Sequence, residues 1–340
     1  MIACMGLLLN KLGMIPFKPL LSMLSPGAAA ARLSVLIFHR VLPAPDPMFP
    51  GEVDARQFDQ IIGWIRTWCN VLPLDEAVSR LAAHRLPARA AAITFDDGYA
   101  DNHVQALPIL QRHKLTATFF IATGFLDGGR MWNDTIIEAV RGFSGNRIDL
   151  QGMPGLSPEF ATVWPASSIE QKRDAIQSII GQIKYALPDA RLALANEVSE
   201  RLRVKLPSDL MMTSTQVRAL RREGMQIGAH THSHPILARL APEVVRSEIA
   251  RSKHALEDLL GESVDLFAYP NGRPGIDYSA QNVSIVRDLG FSAAVSTAPG
   301  AANSRSDRFQ LPRFTPWDRT RMRFGLRLAA NLVAAAPALA

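Results

Sequence analysis

Short apolar, β-branched runs alternate with stretches of helical periodicity along most of the chain. Leu33 to Phe38, Ala91 to Phe95, Thr116 to Ala122, Met225 to Ala229, Val264 to Ala268 and Phe291 to Ser296 have the length of buried strands. Between them, Phe58 to Trp68, Leu74 to Ala83 and His103 to His113 place apolar residues at helical spacing. Thr213 forms a capping box with Gln216 and opens a helix toward Glu223. Thr135 with Glu138 is expected to cap a helix from Ile136 to Arg141. Pro242 opens a further helix that runs to Leu260 and is closed by Gly261. Strands alternating with helices predict a parallel sheet with crossover connections, hence an α/β layer fold or barrel.

The rhythm breaks after Arg141. Gly142, Gly145, Gly152, Pro154, Gly155 and Pro158 signal loops, and Ser168 to Val204 is helical in pattern, punctuated by Pro188. Residues 141–207 therefore read as a mainly helical insertion between two core strands of one domain spanning 31–318. A lead (1–30) and a basic, apolar tail (319–340) flank that domain.

Composition narrows the class. A chain with 48% hydrophobic and 20% charged residues is globular, which excludes wholesale disorder and collagen-like structure. Cys4 and Cys69 form no CxxC pair, so no disulfide or cysteine-metal framework is expected. A surplus of 37 basic over 31 acidic residues favours anionic surfaces or lipid headgroups but is too small to argue for nucleic acid. Met1 to Leu9 is apolar, yet Lys11, Lys18, Pro16, Pro19 and Pro26 follow and no basic start precedes it. It reads as an amphipathic lead rather than a signal peptide. Phe324 to Ala340 carries Arg327 and Asn331 and is shorter than the ~20 apolar residues a spanning helix needs. With Arg319, Arg321, Arg323 and Arg327 it suits either an anionic membrane surface or packing on its own domain. The expected location is the cytoplasm or the periphery of the inner membrane, with the periplasm second.

The polar clusters fall immediately after the predicted strands, where α/β sheets and barrels gather their active sites. His39 follows the first strand, Asp96-Asp97-Gly98 the second, His230, His232 and His234 the fourth, and Pro270-Asn271-Gly272 the fifth. Adjacent strand residues point to opposite faces, so a glycine-assisted turn is needed to aim Asp96 and Asp97 into one site. Three of the eight histidines lie within five positions, and the spacing of His230 and His234 suits two imidazoles on one metal ion. Asp97, His230 and His234 would hold a divalent metal whose bound water becomes acidic enough to attack near neutral pH. Asp96 beside it would act as general base, and His39 as the acid that protonates the leaving amine. His232 is the odd member and is not assigned to the site.

These blocks resemble a known family. Thr94-Phe95-Asp96-Asp97-Gly98-Tyr99, His230-Thr231-His232-Ser233-His234-Pro235 and Phe267-Ala268-Tyr269-Pro270-Asn271-Gly272 look like those of the polysaccharide deacetylases, carbohydrate esterase family 4, over roughly Leu33 to Phe314. The resemblance implies an irregular, incomplete, TIM-like (β/α) barrel of about seven strands. It implies metal-dependent hydrolysis, often with zinc, of N-acetyl groups on N-acetylhexosamine polymers. It implies Asp96 as base, Asp97, His230 and His234 as ligands, and backbone near Tyr99 against the acetyl oxygen. Tyr269, Asn271 and Trp132 are the further candidates for sugar contact, Trp132 as an aromatic platform. His39 resembles the acid of a subgroup that includes deacetylases of bacterial exopolysaccharides.

Two departures stand out. An arginine that orients the base in many members is replaced here by Ala268, and Arg273, five residues on, is the candidate substitute. A late Leu-x-His block is matched by Leu311-Pro312-Arg313, without the histidine. The resulting expectation is N-deacetylation of a carbohydrate polymer or lipid-linked glycan. The alternatives are a deformylase or other amide hydrolase on the same scaffold, and a catalytically degenerate glycan-binding protein.

Overall fold

The computed structural model describes residues 16–153, 162–184, 186–335 and 339–340. Its strands are β1 (Leu33–Phe38), β2 (Asn70–Val71), β3 (Ala90–Phe95), β4 (Thr118–Ile121) and β5 (Arg147–Asp149), then β6 (Val163–Pro165), β7 (Gln226–Ala229), β8 (Leu266–Ala268), β9 (Ala293–Pro299) and β10 (Leu311–Phe314). The helices are α1 (Phe17–Leu24), α2 (Ala55–Trp68), α3 (Leu74–Ala82), α4 (Leu107–His113), α5 (Trp132–Gly142) and α6 (Ile169–Ile183). They continue as α7 (Pro188–Leu202), α8 (Ser214–Arg222), α9 (Pro242–Leu260), α10 (Ala280–Asp288) and α11 (Arg321–Val333).

Seven parallel strands close into a ring in the order β1-β10-β9-β8-β7-β4-β3. β3 returns to β1 through a continuous ladder from Leu33↔Ala90 to Phe38↔Phe95. β2 borders the first residues of β3 and β4 its last ones, so β2 adds no eighth member. The barrel is one strand short of the usual eight, as the motifs implied. Its strands are buried on both faces, which is why they read as continuous apolar runs rather than alternating ones. Leu33, Val35, Ala92, Phe120, Val295 and Leu311 share the interior cluster with α3. Leu36, Ile93, Phe119 and Phe267 share the outer cluster with α2, α4 and α9.

The capping box of α8 and the Gly261 close of α9 form as expected. The helix expected from Ile136 starts earlier. α5 begins at Trp132, Thr135 Oγ1 donates to the Met131 carbonyl, and Glu138 pairs with Arg141, so neither residue caps it. The helix from His103 opens as a π-turn, Asn102–Ala106, before α4. β10 was not anticipated, because Pro312 and a polar Arg313 interrupt its apolar pattern.

Between β4 and β7, α5, α6, α7 and the β5–β6 hairpin build a separate core around Ile136, Ala139, Ile176, Ile179 and Val198. Met48, from the loop after β1, joins that core, and Arg173 donates to its carbonyl. The flanking segments also pack inward. Phe17 and Leu21 of α1 and Phe324 and Leu328 of α11 lie in the main core, where Gly325 leaves room for the Phe17 ring. The apolar lead before residue 16 lies outside the described residues. Among the described residues no helix is long and apolar enough to cross a membrane.

Gly228 of β7 faces Phe120 across the β4–β7 ladder, and a Cβ there would stand 2.5 Å from the Phe120 ring. Gly228→Ala is expected to destabilise the protein by about 1–3 kcal/mol through overpacking. Chemical denaturation measures it, and an unchanged midpoint would show that Phe120 can move aside.

Candidate active site

All the candidate chemistry hangs on the C-terminal ends of the barrel strands. Asp96 N donates to the Phe38 carbonyl at 2.9 Å, extending the β1–β3 ladder. The chain then turns sharply. Asp97 has φ 76° and Gly98 φ 91°, and Gly98 N donates to the Asp96 carbonyl at 3.0 Å. A left-handed aspartate is uncommon, and this one defeats strand alternation so that both carboxylates enter one cleft.

The histidine loop after β7 is coiled by similar means. Thr231 and His234 have φ 64° and 52°, and Thr231 Oγ1 accepts from His234 N at 3.1 Å. Glu248 of α9 anchors the loop by accepting from the backbone of His232 (3.1 Å) and Ser233 (2.8 Å). His230 and His234 then converge on Asp97, each Nε2 standing 3.4 Å from Oδ1. One donor atom from each of the three lies within 4.8 Å of the others, as ligands of a single ion must. His230 Nδ1 lies 2.7 Å from the Ala268 carbonyl, which directs the proton to Nδ1 and leaves Nε2 as a lone-pair donor. Burial holds the His234 imidazole down to about 4, in its neutral, ligating form. Burial opposes the charge of Asp97, but the two imidazoles facing it, His230 first, outweigh burial and keep its pKa far below the usual range. His232 leaves the site, with Thr123 Oγ1 3.1 Å from Nδ1 and Arg251 3.0 Å from Nε2.

Asp96 has a partner far along the chain. Arg313 of β10 grips it in two bonds of 2.7 Å, and both side chains are buried. Its Nε donates to the Ser296 carbonyl at 2.7 Å and its Nη1 to Thr94 Oγ1 at 3.2 Å. Burial pushes the Asp96 pKa up, but the guanidinium overrides it and holds the carboxylate ionised. Arg273 does not substitute for the arginine absent at Ala268. It pairs with Asp277 at 3.0 Å, and the role falls to Arg313 from the last strand. The one signal for it in the sequence is a lone arginine in a short, largely apolar segment.

A cleft of ≈ 300 Å³ brings together His39, Asp96, Asp97, Trp132, His230, His234 and Asn271. His39 is exposed at the end of β1 and also lines a second hollow, shared with Asp97, Tyr99 and Asp134. Asp101 fixes the chain there, accepting from Arg40 Nε at 2.8 Å and Val41 N at 3.1 Å, while Asn102 donates to the His39 carbonyl at 2.8 Å. The Tyr99 phenol is buried against Asp134, at 3.1 and 3.2 Å. Burial raises the Asp134 carboxyl to about 7. Asn271 holds its place through its carbonyl, which accepts from Thr297 Oγ1 at 2.7 Å. Tyr269 does not join the cleft. Its ring is buried and stacks on Tyr278 at 3.9 Å, so the expected sugar contact is a core residue here.

Residues 83–190 and 205–294 match a family model described as polysaccharide deacetylase. The Bacillus subtilis (strain 168) protein YxkH, which bears a polysaccharide deacetylase name, is 21% identical over 285 residues, covering 83% of this chain and 71% of that protein. Among solved structures, the Streptococcus pyogenes deacetylase PplD in complex with acetate is similar with a TM-score of 0.55 and 20% identity, covering 84% of this chain and 92% of that one. IcaB from Ammonifex degensii is similar with a TM-score of 0.55 and 20% identity, covering 89% and 97%. The BpsB deacetylase domain from Bordetella bronchiseptica gives 0.51 and 17%, covering 84% and 95%. At these identities the structural likeness shows the barrel fold.

Removing one partner of a buried ion pair strands the other without compensation. Arg313→Met is expected to cost about 3–5 kcal/mol of stability, and Asp96→Asn in the same chain to restore part of it. Denaturant titration of the single and double variants measures both, and additive losses would deny the coupling.

Proposed function

The chain belongs to the polysaccharide deacetylase family, hydrolases of N-acetyl amide bonds, and on that premise we propose that it deacetylates N-acetylhexosamine units of a bacterial polysaccharide or lipid-linked glycan. The observation that carries this reading is the convergence of Asp97, His230 and His234 beside an Asp96 clamped by Arg313, all in one cleft.

The family generally uses a divalent metal, and these residues fit one. They supply a carboxylate and two imidazoles, one with its donor nitrogen selected by the Ala268 carbonyl. Zinc is bound by such mixed oxygen and nitrogen sets in hydrolases, and it is the ion we propose. When bound, the ion would acidify a water molecule and polarise the amide carbonyl. Asp96, held ionised and oriented by Arg313, takes the proton from the attacking water on its carboxylate. The backbone at Tyr99 lies beside the position of the acetyl oxygen, where a developing negative charge needs donors. His39, exposed on the rim, delivers a proton to the leaving nitrogen as the C–N bond breaks, giving acetate and a free amine. Trp132 and Asn271 flank the sugar.

We also propose a location in the cytoplasm or at the periphery of the inner membrane, with the periplasm second. Trp317 and Leu326, exposed beside Arg319, Arg321 and Arg323 near α11, support contact with an anionic lipid surface.

Asp97→Ala is expected to lose bound metal and acetate release together, whereas Asp96→Asn keeps the metal and loses turnover. Elemental analysis alongside acetate assays on N-acetylhexosamine oligomers checks this, and loss of metal in Asp96→Asn would exchange the two roles. Formate release from an N-formyl substrate, with no acetate from the acetylated one, would replace deacetylation by deformylation. His39→Ala should lower kcat on the order of 10²–10⁴-fold with metal retained. A near-normal rate would assign the acid elsewhere.

A further inference from the structure

The insertion contributes to the cleft a cation that no acid among the described residues neutralises. Arg191, in the first turns of α7, is 6% exposed. Its Nη1 donates to the Lys184 carbonyl at 3.2 Å and its guanidinium lies 4.9 Å from the Trp132 ring centre. Among the described residues its buried Nε has no hydrogen-bond partner and no carboxylate pairs with it. Arg313, the other deeply buried arginine of this cleft region, has every such need met by Asp96, Ser296 and Thr94. Burying an unpaired guanidinium is costly, and a ring face compensates only part of the lost hydration.

Arg191 and Lys184 line the cleft that holds Asp97 and His234. Together with Ile236 they also line an adjoining hollow of ≈ 240 Å³, where Arg239 adds a third cation. Its remaining lining, Ala186, Leu187 and Leu240, contains no acidic residue. The neutral N-acetylhexosamine of the proposed reaction gives no reason for the buried Arg191 guanidinium beside it. A guanidinium fork matches the paired oxygens of a phosphate or carboxylate. Burial lowers the Arg191 pKa, and no acid among the described residues opposes it.

We propose that Arg191, with Lys184 and Arg239 on the same walls, forms an anion-binding subsite for an oxyanion substituent of the glycan, adjoining the sugar whose amide is cut. The proposal rests on the deacetylase reading for the sugar but not for the anion. It selects acidic glycans over neutral ones, by a phosphate in a lipid-linked or phosphorylated glycan, or by a carboxylate in a uronate-containing polymer.

Calorimetric binding to the full, metal-loaded chain tests it with three probes: N-acetylglucosamine, N-acetylglucosamine 1-phosphate and a glucuronate–N-acetylglucosamine disaccharide. At least one acidic probe should bind about tenfold or more tighter than the neutral sugar, the effect of one charge-assisted pair. Preference for the first acidic probe identifies a phosphate, and for the second a carboxylate. Arg191→Gln should abolish the preference, Arg191→Lys should keep part of it, and both should leave the neutral sugar unaffected. Asp97→Ala should keep the preference, because the anion does not sit on the metal. Equal binding of all three probes, a preference surviving Arg191→Gln, or one lost in Asp97→Ala would overturn the subsite. Lys184→Gln, on a less buried residue, should weaken acidic probes alone, so misfolding of the Arg191 variants leaves the test intact. Acetate release is measured on the same preparations. Its absence beside Arg191-dependent binding would overturn the proposed reaction and not the subsite.

Discussion

One buried guanidinium ties the catalytic end of the barrel together. Arg313 leaves β10, bonds the backbone of β9 at Ser296, reaches Thr94 inside β3, and closes on Asp96 where β3 ends. Burying two opposite charges gains little net stability, because desolvation offsets most of their attraction. What the arrangement secures is geometry. A carboxylate gripped through both oxygens cannot rotate, and its remaining lone pairs face the cleft in a fixed direction. The last strand of the chain thereby orients a residue more than two hundred positions earlier.

Around that pair the backbone carries local strain. Asp97, Thr231 and His234 all occupy the left-handed region, and a β-branched threonine there is a rare outlier. Such conformations persist only where surrounding contacts over-determine them. Here the contacts are visible. Glu248 holds the histidine loop through three hydrogen bonds, and the Ala268 carbonyl fixes the His230 ring. The three donor atoms are thus held together by contacts within the fold itself.

The cleft is polarised by its two sources. The barrel supplies carboxylates and imidazoles, while α5 supplies Trp132 and the insertion Lys184 and Arg191. The insertion is also clamped to the loop after β1 through Arg141–Asp46 at 2.8 Å and Arg173–Met48. That loop follows His39, so the residue proposed as acid and the wall proposed to take the anion are braced against each other.

Much of this was readable along the chain. Six of the barrel strands lie in mostly apolar runs, because a barrel strand covered by helices has no wet face. The Asp-Asp-Gly and histidine clusters stood out because rare residue types at short spacing need no tertiary information. What local pattern could not show are partnerships made across the ring. β10 hides behind Pro312 and Arg313, and an arginine in a short segment signals exposure until Asp96 is seen opposite it. Tyr269, one residue past a core strand, could have faced either way. Only stacking on Tyr278 decided that it points into the core. Trp132 and Arg191 meet because α5 and α7 pack in a core of their own. Local pattern and spacing determined most of the elements and the candidate ligand types, since both are properties of neighbouring residues. Which arginine serves Asp96, and which cation remains unpaired, depended on ring closure and helix packing, because electrostatic pairing is set by distance in space and not by distance along the chain.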